Sequence, residues 1–338
     1  METVAQMANV SMMTVSRVLN GKSNVHPKTR KRVEDTMRKI GYMPNSSARS
    51  LASSKNPFIG LPYLNPSSGY LGQLLIGALS ETRKKGMHVL LEACSENPSD
   101  WAEELVAFCN QSQLSGLLLP PPLCDDPAVL EAVSQLNLRS VRVSPSRHEV
   151  RFTSVRIDEF QAAYEMTCTL IANGHSDIGF LKGPENQDGA IQRYAGFEKA
   201  MTEAGLAINH RWIKSGDFSP GPAREVGKGI LSLVSRPTAI FASNDDMAAG
   251  LYTAALETGL SIPQDLSIVG FDDQPIAISL WPSLTTVNQP IIDMAAKAVS
   301  IIAAQSANSP QPRDIIFPFE ILMRDSLAKP LKTRQSKA

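Results

Sequence analysis

Three features of this 338-residue sequence predict an N-terminal all-α helix-turn-helix head followed by an α/β body of two doubly wound parallel-sheet subdomains. Two short segments with helical apolar spacing lie three residues apart near the N-terminus. From Phe58 onward short apolar runs alternate with amphipathic segments, and the alternation restarts midway. Charge is divided unevenly, although the formal net charge is zero: the first 55 residues carry ten Lys/Arg against three Asp/Glu, and the rest 23 against 30. A basic head on an acidic body calls for a polyanionic partner of the head alone. With 43% hydrophobic and 20% charged residues, the chain is long enough for two or three globular domains.

The head opens with "ETVAQMA", a short helix with Val4, Ala5 and Ala8 on its apolar side and small enough for a close crossing. Asn9-Val10-Ser11 forms the turn, since Asn tolerates the left-handed backbone such turns need. Ser11 is placed to cap "MMTVSRVLN". In that helix Val15, Val18 and Leu19 face inward, Met13, Ser16, Arg17 and Asn20 face out, and Gly21 ends it. A third helix is expected from about Lys28 to Ile40, with Val33, Met37 and Ile40 inward. In a helix-turn-helix the second helix enters the major groove of double-stranded DNA. Arg17 is then placed to read guanine, Met12 and Met13 thymine methyls, and Ser11, Thr14, Ser16 and Thr29 phosphates.

The stretch "VAQMANVSMMTVSRVLNGKSNVHPKTRKRVEDTMRKIGYMPNSSARSLAS" resembles the DNA-binding head of the lactose/galactose repressor (LacI/GalR) family, whose pattern runs roughly VAxxAGVSxxTVSRVLN. Asn9 stands where the family has Gly. Thr3 stands where members have an Asp preceded by several more residues, so either the first helix is short or the native start lies upstream of Met1. "PNSSARSLASSKNP", Ser-rich and bracketed by prolines, reads as a linker. Its centre allows only about two helical turns, too few to hold alone in water. The resemblance implies a hinge helix that orders on operator DNA beside a second copy of itself and inserts Leu51 into the minor groove, with Asn45, Ala48 and Arg49 at the flanking contacts. Such a wedge unstacks a base step and kinks the duplex.

In the body, "FIGLPYL", "HVLLEAC", "GLLLPP" and "SVRVSP" read as strands, and "GQLLIGALSETRKKG", "WAEELVAFCNQSQ" and "DPAVLEAVSQL" as helices between them. The series continues with "SVRID", a helix near 161–173, "DIGFLKG", "QRYAGFEKAMTEAG", "WIKSGDF", a helix near 222–235, "AIFAS", "DMAAGLYTAALETG" and "LSIVGFDD". Such alternation means parallel sheets, with ligands at the C-terminal strand ends. Asn244-Asp245, Asp272-Asp273, Phe218 and Arg193 all follow strands, a mixture suited to a polyhydroxylated ligand; Asp245 and Asp158 are expected to cap helices. "LIANGHSDIGFLKGP", "QRYAGFEKAM", "GDFS", "PTAIFASNDDMAAG", "IPQDLSIVGFDD" and "PSLTTVNQP" are similar to family segments in family order. The resemblance implies a periplasmic-binding-protein-like body with effector contacts at Arg193, Phe218, Asn244, Asp272 and Gln289, joined by Ser68 and Tyr70 from the first lobe, where "NPSSGY" departs from the family segment. After Pro290 the helix "DMAAKAVSIIAA" is expected to recross to the first lobe before a last strand near 315–322.

The expected organisation is therefore a helix-turn-helix domain over 1–43, a hinge over 44–56 and an effector-binding and dimerisation core over 57–328. Within the core, 57–156 with 288–313 forms one subdomain and 157–287 with 314–328 the other; 329–338 is a polar tail without a leucine heptad. Four scattered cysteines and five scattered histidines show no metal-ligand spacing, so no metal and no cofactor are expected. No apolar run approaches a membrane span and no secretion signal leads the chain, so the expectation is a cytoplasmic protein without membrane contact. No P-loop, GxGxxG or GxSxG occurs, and adjacent Asp272-Asp273 do not place two carboxylates across a bond, so no enzyme is expected and no catalytic residue is assigned. The function expected is a homodimeric, sequence-specific transcriptional repressor of carbohydrate-utilisation genes, relieved by a mono- or disaccharide. The alternatives are a corepressor-dependent regulator answering a non-sugar ligand such as a nucleobase, and a solute-binding protein without DNA activity.

Overall fold

The computed structural model describes residues 1–19, 24–42, 58–64, 67–136, 138–147, 149–304 and 313–331. Two compact units separate at Pro57. In the first, α1 (Glu2–Met7), α2 (Met12–Leu19) and α3 (Pro27–Lys39) surround one small core. Val4, Ala5, Ala8, Val15, Val18 and Val33 are buried in it, and Leu19, Met37 and Ile40 pack against its edge. Burying each valine contributes roughly 1.5–3 kcal/mol, which the short helices need because none is stable alone. Asn9 takes the left-handed turn at φ +49°. Ser11 Oγ accepts from Thr14 N at 3.2 Å, the expected cap. The helix end expected at Asn20-Gly21 lies outside the described residues, as do the hinge and the tail from 332 onward.

The second unit holds two six-stranded sheets. The first is built from β1 (Phe58–Tyr63), β2 (His88–Ala93), β3 (Gly116–Leu119), β4 (Arg139–Val143) and β5 (Thr153–Arg156), with α4 (Ser68–Lys85), α5 (Trp101–Ser112) and α6 (Pro127–Gln135) between them. The chain then crosses to α7 (Glu159–Ala172), β6 (Ile178–Lys182), α8 (Asp188–Glu203), β7 (Ile213–Ser215), α9 (Pro220–Leu231), β8 (Ala239–Ala242), α10 (Asp245–Glu257), β9 (Ser267–Asp272), α11 (Pro275–Ser279) and β10 (Thr285–Asn288). It returns with α12 (Ile291–Ala303) and β11 (Asp314–Ile316), and crosses once more into β12 (Glu320–Leu322). The strand orders are β11-β5-β4-β3-β1-β2 and β12-β10-β9-β8-β6-β7. Every pairing is parallel except β10 with β12. Strands β3, β8 and β9 are buried along their whole length, because helices cover both faces of a parallel sheet.

The single strand expected near 315–322 is two strands in two sheets. Asp314–Ile316 pairs with β5 in the first sheet, where the second lobe was expected, and only Glu320–Leu322 joins the second. Three crossovers therefore link the lobes, after β5, after β10 and between β11 and β12. Helix α4 starts at Ser68 rather than Gly72 because Ser67 Oγ caps it, accepting from Tyr70 N at 3.2 Å. It packs tightly on α12: a Cβ on Gly77 would stand 2.1 Å from the Ile292 carbonyl oxygen. Among the described residues no helix is long and apolar enough to cross a membrane.

Candidate functional site

On the head, Met12 and Met13 are 56% and 64% exposed, beside exposed Ser11 and Arg17. Large apolar side chains turned to water on a small basic unit form a contact face rather than a core. Thr14, Ser16 and Thr29 are half-buried along its rim. Ser11 and Thr14 share a hydroxyl–hydroxyl bond of 3.0 Å. Lys28, Lys31, Arg32 and Lys39 line an open groove on α3 and extend the positive surface. Asn20, Asn45, Ala48, Arg49 and Leu51, the remaining expected DNA contacts, lie outside the described residues.

In the body a cleft opens between the lobes. Its lining comes from residues that follow the C-terminal ends of strands in both sheets, where doubly wound folds bind ligands. Tyr70, Arg193, Phe218, Asn244 and Asp272 line it, as five of the seven expected effector positions. Ser68 is exposed on the first turn of α4, and its neighbour Ser67 lines the cleft instead. Gln289 is buried and outside the lining; its Nε2 donates to the lining residue Ser144 at 2.7 Å.

Arg193 is the centre of the second lobe's wall. Although expected to open its helix, it stands in the second turn, because α8 begins at Asp188. The residue is 6% exposed, and its guanidinium carbon lies 3.7 Å from the ring centroid of Phe271. Nε donates to Glu159 Oε2 at 2.6 Å, Nη2 to Glu159 Oε1 and Asp272 Oδ1 at 3.3 Å each, and Nη1 to the Ser243 carbonyl. Asp272 Oδ2 accepts from Gln274 Nε2 at 3.2 Å. Burial pushes the Asp272 carboxyl up to about 7; Arg193 opposes the shift and Glu159 adds to it. Phe218 sits at φ +66°, Asp272 at +103° and Ser144 at +49°, so left-handed backbone gathers around the cleft.

Asn244 caps α10, its Oδ1 accepting from Met247 N at 2.9 Å while Nδ2 donates to the Phe218 carbonyl at 3.1 Å. The cap expected of Asp245 therefore belongs to Asn244. Asp245 is instead a buried core carboxyl, accepting from Gln274 N and Thr286 Oγ1, and burial holds it well above the usual carboxylate range. Asp158 caps α7 as expected, accepting from Gln161 N at 3.0 Å.

Sequence reasoning missed Glu159, Asp125, Asp188 and Ser144, all of which line the cleft. Asp125 and Ser144 follow β3 and β4, so the rule of polar residues beyond apolar runs was available for both. Asp125 is held by Arg142, which is fully buried, and by the Ser146 amide at 2.9 Å. Burial pushes its carboxyl up against those two donors. Across the cleft Arg147 Nη2 donates to Asp188 at 3.0 Å, Gln274 Nε2 to Ser67 Oγ at 2.9 Å, and Gln73 Nε2 to the Asp273 carbonyl at 3.0 Å. No group of three or more ligating side chains able to hold a metal occurs among the described residues.

The same architecture recurs in known proteins. The pattern of bacterial regulatory proteins of the lacI family matches residues 1–45, and that of the periplasmic binding protein-like domain matches 167–327. Catabolite control protein A of Priestia megaterium is 33% identical over 302 residues, covering 88% of this chain and 90% of that protein. This chain belongs to the lacI family. The transcriptional repressor PurR of Escherichia fergusonii is 31% identical over 327 residues, covering 96% of each chain. A lac repressor dimer solved with operator and the anti-inducer ONPF superposes with a TM-score of 0.82 at 27% identity, over 96% of this chain and 98% of that one. As a lacI-family member the protein is a DNA-binding transcriptional repressor and not an enzyme.

Proposed function

We propose that a homodimer of this repressor holds a near-palindromic operator and releases it when a mono- or disaccharide enters the interlobe cleft. On DNA, Arg17 and the Met12-Met13 pair meet base edges, while Ser11, Thr14, Ser16 and Thr29 meet phosphates. Asn20 belongs to the same reading face, and Leu51, with Asn45, Ala48 and Arg49, to the minor-groove contact. In the cleft, Arg193, Asp272 and Asn244 hold ligand hydroxyls, Phe218 and Tyr70 bracket the ring, and Ser67, with Gln289 through Ser144, supports the first lobe's side. Ligand binding alters the angle between lobes and so the spacing of the two heads. Effector and operator then weaken each other's binding by the same factor.

The observation that carries the sugar reading is the Arg193–Glu159–Asp272 network beside Phe218. Fixed charges facing an aromatic ring match the hydroxylated edge and apolar face of a pyranose. The test is operator affinity, using duplexes from the region around the gene, with and without each member of a mono- and disaccharide panel. A coupling of about 1–3 kcal/mol, or 5- to 150-fold, is expected from one sugar. A panel in which every sugar is silent and a nucleobase acts instead would end the sugar reading.

A further inference from the structure

We propose that the effector carries no net negative charge, and that Glu159 is the residue that sets this selectivity. The inference rests on the cleft being the effector site and adds the ligand's charge class. A guanidinium has five N–H donors, and its usual way of holding phosphate or carboxylate is two parallel bonds from adjacent nitrogens. Arg193 has four donors committed within the protein: Nε and one of Nη2 to Glu159, the other of Nη2 to Asp272, and one of Nη1 to Ser243. One Nη1 hydrogen remains, enough for a hydroxyl oxygen and too little for a bidentate anion. An anion could engage Arg193 only by displacing Glu159, leaving a carboxylate that is 4% exposed without its cation.

Three of the cleft's helix N-termini, the other usual anion sites of such folds, are also filled from within the chain, while that of α8 has no side-chain cap and carries Asp188 in its first turn. Ser67 caps α4, Asp158 caps α7 and Asn244 caps α10, each accepting a first-turn amide. The first turns of α7, α8 and α10 carry Glu159, Asp188 and Asp245. Acidic side chains there already occupy the positive helix ends. Asp125, Glu159, Asp188 and Asp272 line the cleft against the single guanidinium of Arg193. Arg142 and Arg147 pair with two of the four from outside the lining. With those two arginines counted, the four carboxyls leave at most one net negative charge, partly neutralised because the Asp272 carboxyl is raised to about 7, so the cleft offers phosphate or carboxylate no excess positive charge and suits hydroxyl and ammonium donors.

The experiment is isothermal titration of the full-length protein with matched probes: glucose, galactose, ribose, maltose and cellobiose; the hexose 6-phosphates; glucuronate and galacturonate; and glucosamine. A neutral or amino sugar that binds at least tenfold more tightly than its phosphate or uronate counterpart is the expected result. Glu159→Gln, which frees donors on Arg193, is expected to narrow that ratio at least threefold. Asp188→Asn provides the same test without touching the Arg193 network, through the field alone, and is expected to narrow it less. A phosphate or uronate that binds as tightly as its neutral counterpart overturns the inference and leaves the cleft as the effector site. Heat from no probe of any charge overturns the sugar-site reading itself, and the inference with it.

Discussion

Asp272 combines a backbone at φ +103° with a carboxyl that is 4% exposed. Holding an L-residue there costs on the order of 1–3 kcal/mol, and the position persists because Arg193 and Gln274 grip the carboxylate oxygens. Its proton is bound more tightly in the folded chain, near 7, than at the ordinary 3.8 of the unfolded one. This group therefore favours folding most fully below about pH 4, and that contribution is lost as pH rises toward 7. While it titrates it imposes a slope of at most about 1.4 kcal/mol per pH unit. Urea denaturation of wild type and Asp272→Asn from pH 4 to 8 is expected to give a difference curve that falls with pH and levels above about 7. A difference independent of pH would mean that Arg193 keeps the carboxylate ionised throughout. Asp272 and Arg193 were legible as strand-end residues. Glu159 was not: as the first residue after a cap it reads as an exposed first-turn acid, and only Arg193, 34 residues later, makes it a buried one.

Long elements were legible because their burial is periodic or continuous over many residues; short ones were not. "GLLLPP" and "LSIVGFDD" announce strands covered on both faces, whereas Pro275–Ser279, Thr285–Asn288 and Glu320–Leu322 have too few residues for any period to show. Pairing of helices was also invisible, and α4 against α12 shows why: the contact depends on a missing side chain. Ala at position 77 gains about 1 kcal/mol of helix propensity over Gly, yet its methyl would stand 2.1 Å from the Ile292 carbonyl oxygen, which belongs to backbone and cannot rotate aside. Overpacking of this kind typically costs about 1–3 kcal/mol, so the clash wins. Gly77→Ala is expected to destabilise the body by up to about 2 kcal/mol in urea denaturation. An unchanged or raised midpoint would show that α4 and α12 separate freely.

At the scale of the whole body, the order of the two lobes could be read from the restart of strand–helix alternation, but the third crossover could not. Whether Asp314–Ile316 joins the first sheet or the second depends on which edge is open, and β5 presents it, with Asp314 bound by Arg156. Three crossovers connect the lobes, and the angle between the lobes is held by the bonds bridging the cleft. Two of them differ in a way that ranks their effects. Gln73 is half-buried and donates to the Asp273 backbone carbonyl, where a lost hydrogen bond is worth about 0.5–1.5 kcal/mol. Arg147 is 62% exposed in its pair with Asp188, and water and salt screen such a pair to about 0–1 kcal/mol. A ligand that needs the closed cleft binds more weakly as the fraction of molecules closed falls. Gln73→Ala is therefore expected to weaken effector binding about 2- to 10-fold although Gln73 does not line the cleft. Arg147→Ala should have the smaller effect at 0.5 M salt, where the exposed pair is already screened. Titrating both variants with the effector at 0.05 and 0.5 M salt separates the two terms. A larger loss for Arg147→Ala at high salt would show that the lobe angle is set by charge across the cleft rather than by the backbone bond from α4.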